Sequence, residues 1–293
     1  MLRCSYIILI HNNQENITKL IESLKKITGN FYKEFIFIDD GSTDNSLKIL
    51  KSVVADIPRT TIITQERQGP TISINKAVSL ATGEYIQFVS GGEILHPDST
   101  SILIDACINR GTDVAVGLVS SQEITTDKDN VDNPRDSVKL ISNPIEEILG
   151  GKLSSIANIG KSASTVRRDL LEKIEKADNS IYTQNMSLSL RCAKYSKFAY
   201  INEYIVSLPK VEEEFDPRFI KYNNLKSIYN FAKENPEIFS KLIPELLKVL
   251  GRESSGRFNK INYAMKAVTA KYVKSSSLNQ VLELYKQELD KLF

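Results

Sequence analysis

Phe35-Ile36-Phe37-Ile38-Asp39-Asp40-Gly41-Ser42-Thr43-Asp44-Asn45-Ser46 is the stretch on which the fold turns. Its first residues are a strand-length apolar run rich in aromatic and β-branched side chains, as a strand buried on both faces requires. The run stops at two carboxylates and a glycine. A new period begins behind them, with Leu47, Leu50, Val53 and Val54 forming one helical stripe. Ser42 and Thr43 stand just ahead of that helix, and Asp44 can favour its positive end.

The same alternation recurs on either side. Tyr6–Ile10, Thr61–Thr64 and Tyr85–Val89 are further strand-length runs. Ile17, Leu20, Ile21 and Leu24 form one more helical stripe, and Ile72, Ile74, Ala77, Val78 and Ala81 another, with Gly83 in the place of a closing C′ glycine. Strand and helix alternating at this spacing mean parallel crossovers. The expected fold is therefore α/β, an open, mainly parallel, Rossmann-like sheet with helices on both faces.

Ligands of such sheets bind beyond the carboxyl ends of the strands. Polar clusters follow each run: His11-Asn12-Asn13, Asp39-Asp40-Gly41-Ser42, Gln65 to Gly69, and Ser90-Gly91-Gly92-Glu93. Clusters sharing one rim make a cleft, although turn chemistry alone also favours Asn, Asp, Gly and Ser at these points.

Phe37 to Ser46 resembles the "VDDGSTD" signature of the family 2 glycosyltransferases, and Ala81-Thr82-Gly83-Glu84-Tyr85-Ile86 resembles their "A-x-G-E-Y-I" entry to the next strand. The resemblance implies a GT-A fold that binds a nucleotide-diphosphate sugar. It implies that Asp40 accepts a hydrogen bond from the imino group of the base, with His11 and Asn12 lining base and ribose. A carboxylate is an acceptor only, so it rejects bases without a matching donor. The donor-binding set implied is His11, Asn12, Asp39, Asp40, Ser42, Gly69, Lys76, Ser90 and Gly92. Without the resemblance, Asp39 and Asp40 could be no more than caps of the following helix.

Likeness continues through Gln68-Gly69-Pro70, Ile74-Asn75-Lys76-Ala77 and Phe88-Val89, and then fails. The family places Asp-x-Asp next, holding Mn²⁺ or Mg²⁺ against the diphosphate. Here the chain reads Ser90-Gly91-Gly92-Glu93, leaving Glu93 as the single acid for a metal. Further on, Asn158-Ile159-Gly160 and Ser164-Thr165-Val166-Arg167-Arg168-Asp169-Leu170-Leu171 resemble the family's acceptor-side strand and "F-R-R-x-L-L" helix. Gln184-Asn185-Met186-Ser187 resembles the helix that begins Glu-Asp or Gln-Asp, with Asn185 where the catalytic base stands. Asn cannot take a proton. Asp178 and Glu203 are alternative acids, and Lys161, Arg167 and Arg191 alternative cations for a diphosphate. Each also reads as an ordinary exposed or helix-flanking charge. Gly160-Lys161-Ser162 lacks the earlier glycine of a phosphate loop, because Ser155 holds that place.

Composition narrows the partners. Among 293 residues, 38 basic and 36 acidic side chains leave no global charge to draw the chain onto nucleic acid. Cys4, Cys107 and Cys192 are odd in number and far apart, suggesting neither disulfides nor a zinc knuckle. Met1-Leu2-Arg3-Cys4 does not read as a leader, and no window is long and apolar enough to span a bilayer. A cytoplasmic protein is expected, at most peripheral at the inner face of the membrane.

A boundary is expected near the polar stretch after Pro209, dividing residues 1–212 from a helical region at 213–293. Helical periodicity covers 217–233, 236–250, 257–273 and 277–292. The third segment carries Arg257, Lys260, Lys266, Lys271 and Lys274 without an acid, and Phe258, Ile261, Met265, Val268 and Tyr272 as its apolar stripe. It reads either as a helix resting on anionic lipid or as one packed on its own domain. Two functional classes stand. One is a transferase moving a sugar to a glycan or lipid-linked acceptor, as in polysaccharide biosynthesis. The other is a pseudoenzyme that keeps the pocket and serves as a binding or scaffold subunit beside a catalytic glycosyltransferase partner.

Overall fold

The computed structural model describes residues 1–122, 138–151, 159–160, 162–208, 216–254, 257–273 and 277–292. Asn158, Lys161, Ser155, Lys274 and the boundary expected at residues 212–213 lie outside the described residues. So do the side chains of Arg257, Phe258, Lys271 and Tyr272.

The first half alternates strand and helix as expected: β1 (Arg3–Ile10), α1 (Ile17–Lys25), β2 (Tyr32–Asp40), α2 (Ser46–Val53), β3 (Thr60–Gln65), α3 (Pro70–Leu80) and β4 (Tyr85–Ser90). Then come β5 (Ile94–Leu95), α4 (Ser99–Arg110), β6 (Val114–Ser120), β7 (Val138–Ile141), α5 (Pro144–Gly150), β8 (Ser164–Arg167), α6 (Arg168–Lys173), α7 (Asn185–Ala193) and β9 (Phe198–Ser207). Among the described residues the nine strands form one mixed sheet in the order β3-β2-β1-β4-β8-β6-β9-β5, with β7 also on β9. Strands β3, β2, β1 and β4 are mutually parallel. Strand β8 returns antiparallel between β4 and β6.

Helices cover both faces. Leu20, Leu50 and Leu103, from α1, α2 and α4, pack on one face with Tyr6, Ile8 and Phe37. Ile74, Leu170 and Leu188, from α3, α6 and α7, pack on the other with Ile7, Ile38 and Val166. Alternation along each strand thus sends successive side chains into opposite cores.

The C-terminal helices are α8 (Pro217–Glu234), α9 (Pro236–Phe239), α10 (Ile243–Glu253), α11 (Arg257–Val273) and α12 (Leu278–Asp290). Asp216 caps α8, with Pro217 in its first turn. Ser277 and Gln280 form a reciprocal capping box at α12, as the chemistry of orphaned N–H groups favours. Leu225, Phe231, Leu246 and Tyr285 belong to the same apolar cluster as Ile38 and Val166. The helical region is therefore continuous with one face of the sheet. Among the described residues no helix is long and apolar enough to cross a membrane.

Several local expectations are corrected. The segment 236–250 is two helices, because Pro244 sits in the first turn of α10 and cannot continue a preceding helix. Gly83 is not a left-handed cap. Helix α3 ends at an extended Ala81, and a Cβ on Gly83 would lie 2.6 Å from the Ser5 backbone nitrogen, so glycine here permits close approach to β1. Ile72 is exposed and Ser73 buried, which turns α3 slightly from its expected stripe.

All three thiols are buried. Burial pushes Cys4 and Cys192 far up and Cys107 up to about 12, so each stays protonated near neutral pH. The thiolate is the reactive form. We expect a disulfide-exchange reagent to find no thiol in the native chain and all of them in denaturant, read by absorbance. Rapid labelling of the native chain would contradict this packing.

Candidate active-site cleft

The cleft is built from the loops at the carboxyl ends of β1, β2, β3 and β4. Those loops are tied to one another. After β1, His11 donates from Nδ1 to the Asp40 carbonyl at 2.9 Å, which leaves Nε2 beside the Asn12 amide at 3.4 Å. Asn12 is left-handed, φ 51, a conformation Asn tolerates better than most residues. Its N–H donates to Ser42 Oγ at 3.1 Å, and its side-chain oxygen accepts from the Thr43 N–H at 2.9 Å. Asn13 adds a bond from its N–H to Ser46 Oγ at 2.7 Å. Ser42 is therefore a bridge between loops, and Asp44 accepts from the Ser46 N–H at 2.9 Å where α2 begins.

Asp39 and Asp40 end β2 on opposite faces. Asp40 accepts from Gln65 Nε2 at 2.8 Å, the Gln68 N–H at 2.9 Å and the Gly69 N–H at 2.8 Å. None of these donors belongs to α2, so the reading of Asp40 as a cap of the following helix fails. Asp40 instead holds the β3–α3 loop. Asp39 is 3% exposed, and its Oδ1 is a buried acceptor without a hydrogen-bond partner among the described residues.

Lys76 reaches this group indirectly, donating to Gln65 Oε1 at 3.3 Å. Gly69 has φ +88, and a Cβ there would lie 2.5 Å from the Tyr182 ring. Both the backbone angle and the ring demand glycine.

After β4, Ser90 is exposed and Gly92 has no side chain to offer. Glu93 is 1% exposed. Its Oε2 accepts from the Ser90 N–H at 2.9 Å and from the Ser162 hydroxyl. Gln87 donates to the Ser162 carbonyl at 2.5 Å. The carboxylate expected to serve a metal is thus turned inward as a tether between the β4 loop and the segment before β8. A hard divalent cation needs a shell of open oxygen ligands. Ser90, Gly92 and this engaged Glu93 do not fit one, and among the described residues no cluster of His, Cys, Asp or Glu could hold a metal.

Helix α7 starts at Asn185. Gly160, φ +113, runs so close that a Cβ would lie 2.9 Å from Asn185 Oδ1. The residue before it, Gln184, is buried and donates to Thr71 Oγ1 at 2.6 Å and to the Ile181 carbonyl. It fastens the Asp178–Tyr182 loop to the start of α3.

The alternative charges are occupied elsewhere. Asp178 caps the Ser180 N–H at 2.8 Å. Arg191 donates to the Lys176 carbonyl at 2.7 Å and to that of Ile174. Arg167 pairs with Asp169 at 2.8 Å and stands opposite Tyr85 at the amino end of β4, away from the cleft rim. Glu203 lies within β9 and is half-buried. Gln65, Gln184 and Ser162 were not read as structural ties in the sequence, since their partners lie up to 113 residues away.

Residues 5–175, more than half of the chain, match the model of glycosyl transferase family 2. An uncharacterized glycosyltransferase, YibD of Escherichia coli (strain K12), is 31% identical over 113 residues, covering 39% of this chain and 33% of the relative. The match thus spans about a third of that protein's length. Staphylococcus aureus TarS 1-349 in complex with UDP-GlcNAc superposes with a TM-score of 0.60 at 14% identity, covering 99% of this chain and 92% of that one. The mannosyltransferase PcManGT of Pyrobaculum calidifontis, in complex with GDP-Man and Mn²⁺, gives 0.58 at 13% identity, covering 99% and 86%. These likenesses establish the GT-A fold.

Asp40→Ala removes the acceptor for two backbone N–H groups and one amide. A buried donor left unsatisfied costs about 1–3 kcal/mol, so we expect a loss of about 2–4 kcal/mol in urea unfolding. A change under about 0.5 kcal/mol would show that this carboxylate does not hold the rim.

Proposed function

Because the chain belongs to glycosyl transferase family 2, we propose that it binds a nucleotide-diphosphate sugar and transfers the sugar to a glycan or lipid-linked acceptor through an altered metal site. The observation that carries this reading is the rim itself. His11, Asn12, Asp40, Ser42 and Gly69 form one continuous hydrogen-bonded wall at the carboxyl ends of the parallel strands, where ligands of such sheets bind. TarS and PcManGT, whose fold this chain shares, are bound to UDP-GlcNAc and GDP-Man.

In this reading Asp39 and Asp40 divide their work. Asp40 holds the wall and keeps capacity for a further donor, because an ionised carboxylate offers about four lone-pair sites. Asp39 has an oxygen wanting a partner, which a hydroxyl or imino group of the nucleoside would satisfy. His11 and Asn12 flank the base and ribose. Lys76 steadies Gln65 beside them. Ser90 and the Gly92 backbone remain to meet the diphosphate.

Glu93 and Asn185 favour a second reading. Sugar transfer breaks the bond from the anomeric carbon to the diphosphate as an acceptor hydroxyl attacks, and the hydroxyl proton needs a base. The Asn185 amide can orient a hydroxyl but cannot keep its proton. With Glu93 tied inward, two supports of the transition state are missing together. A catalytically inactive relative that binds the donor and acts as a scaffold subunit beside an active transferase satisfies both observations. Either protein would work in the cytoplasm, at most peripheral at the membrane.

Calorimetric titration with UDP, GDP, CDP and dTDP tests the common premise. One nucleotide should bind, and Asp39→Asn should weaken it roughly tenfold or more without lowering the melting temperature. No binding by any of them would overturn the donor-pocket reading. Release or transfer of sugar from the matching donor supports the first function. Tight binding without turnover, with turnover gained on Asn185→Asp, supports the second.

A further inference from the structure

Helix α11 (Arg257–Val273) is apolar on two opposite faces. Tyr263, Ala267 and Ala270 are buried. The Tyr263 hydroxyl donates to Glu288 of α12 at 3.1 Å, and its Cβ approaches α10 at Gly251. These inward residues fix which way the helix faces. Ile261, Met265 and Val268 recur at helical spacing on the opposite side, and they are 51%, 64% and 59% exposed.

The apolar stripe legible in the sequence is therefore not the packed face at these positions. A helix that only covered its own domain would turn its larger aliphatic residues inward and its alanines outward. Here Ala267 and Ala270 face inward, while the larger Ile261, Met265 and Val268 face out. A patch of this kind on the surface marks an interaction site.

Charge indicates what the patch meets. Lys260 and Lys266 lie on the flanks between the two faces, and from Ser254 to Leu282 the sequence holds five basic residues and no acid. An exposed apolar ridge beside cations, in a stretch free of carboxylates, complements a surface that is apolar inside and negative at its border. Amphipathic helices that lie in the plane of a bilayer have this arrangement, their apolar side in the acyl boundary and their Lys and Arg among anionic headgroups.

We propose that α11 is a membrane-surface helix, seating Ile261, Met265 and Val268 in the outer part of an anionic bilayer with Lys260 and Lys266 on the headgroups. The proposal does not rest on the donor pocket. It would hold a transferase or a scaffold at the membrane alike.

Co-sedimentation of the full chain with lipid vesicles tests it. One set is phosphatidylcholine alone; in the other about a third is replaced by phosphatidylglycerol. The chain should pellet with the anionic vesicles and not with the neutral ones, and about 0.5 M salt should weaken the binding. The triple variant I261E/M265E/V268E should lose about tenfold or more in partitioning. Its melting temperature should not change, because the positions are exposed. K260E/K266E, which keeps the apolar ridge, should lose binding to anionic vesicles as well.

Failure of the wild type to bind anionic vesicles would overturn the proposal. So would equal binding by the triple variant. A chain that elutes as a dimer, with the triple variant monomeric and neither bound to vesicles, would assign the ridge to a second copy instead.

Discussion

Strands buried on both faces favour polar side chains at their ends, and in this chain that constraint meets one carboxylate. Asp40 ends β2 and accepts from Gln65, Gln68 and Gly69, while its own carbonyl receives His11. The loops after β1, β2 and β3 are thereby parts of one object. Removing any member would leave a partly buried donor or acceptor without its partner. The cleft wall is set by this wiring before any ligand arrives, which is what a binding site that avoids ordering costs requires.

The same economy explains the β4 loop. Where the family carries a metal-binding acid pair, this chain has a serine and a glycine. Glu93 turns inward to Ser90 and Ser162. That tether joins the donor side of the sheet to the segment leading into β8. Asn185 stands just across from Gly160 on the far side of the same segment. Ser162 meets Glu93 and Gly160 meets Asn185, so the two departures from the family pattern adjoin residues close in sequence. The acid pair and the base position of the family pattern both differ in this sequence, and a hydrogen bond from Ser162 to Glu93 holds the β4 loop.

Much of this was legible in the sequence because local periodicity dictates local structure. The first strands and helices follow from alternating periods of apolar residues. The Asp39-Asp40 turn reads as a rim because parallel sheets have no other place for it. What was not legible depends on distant partners. Glu93 reads as the single acid left for a metal until Ser162, 69 residues away, is seen beside it. Gly83 reads as a helix stop, and only the proximity of Ser5 reveals a packing contact. In α11 the period shows that a stripe exists but not which way it faces, since Tyr263 and Gly251 decide that through tertiary packing. Arg167 and Arg191 carry charge suited to a diphosphate, yet their places beside the amino end of β4 and in a carbonyl clamp are matters of topology.

The central claim is that the donor pocket stands without a divalent metal because Glu93 is structural. The most direct measurement is the dissociation constant of the nucleoside diphosphate that binds, determined by calorimetry in chelator and again in Mn²⁺. The account predicts values that agree within about twofold. Tightening by Mn²⁺ of about tenfold or more, some 1.4 kcal/mol, would show that the β4 loop still gathers a metal and would contradict the account.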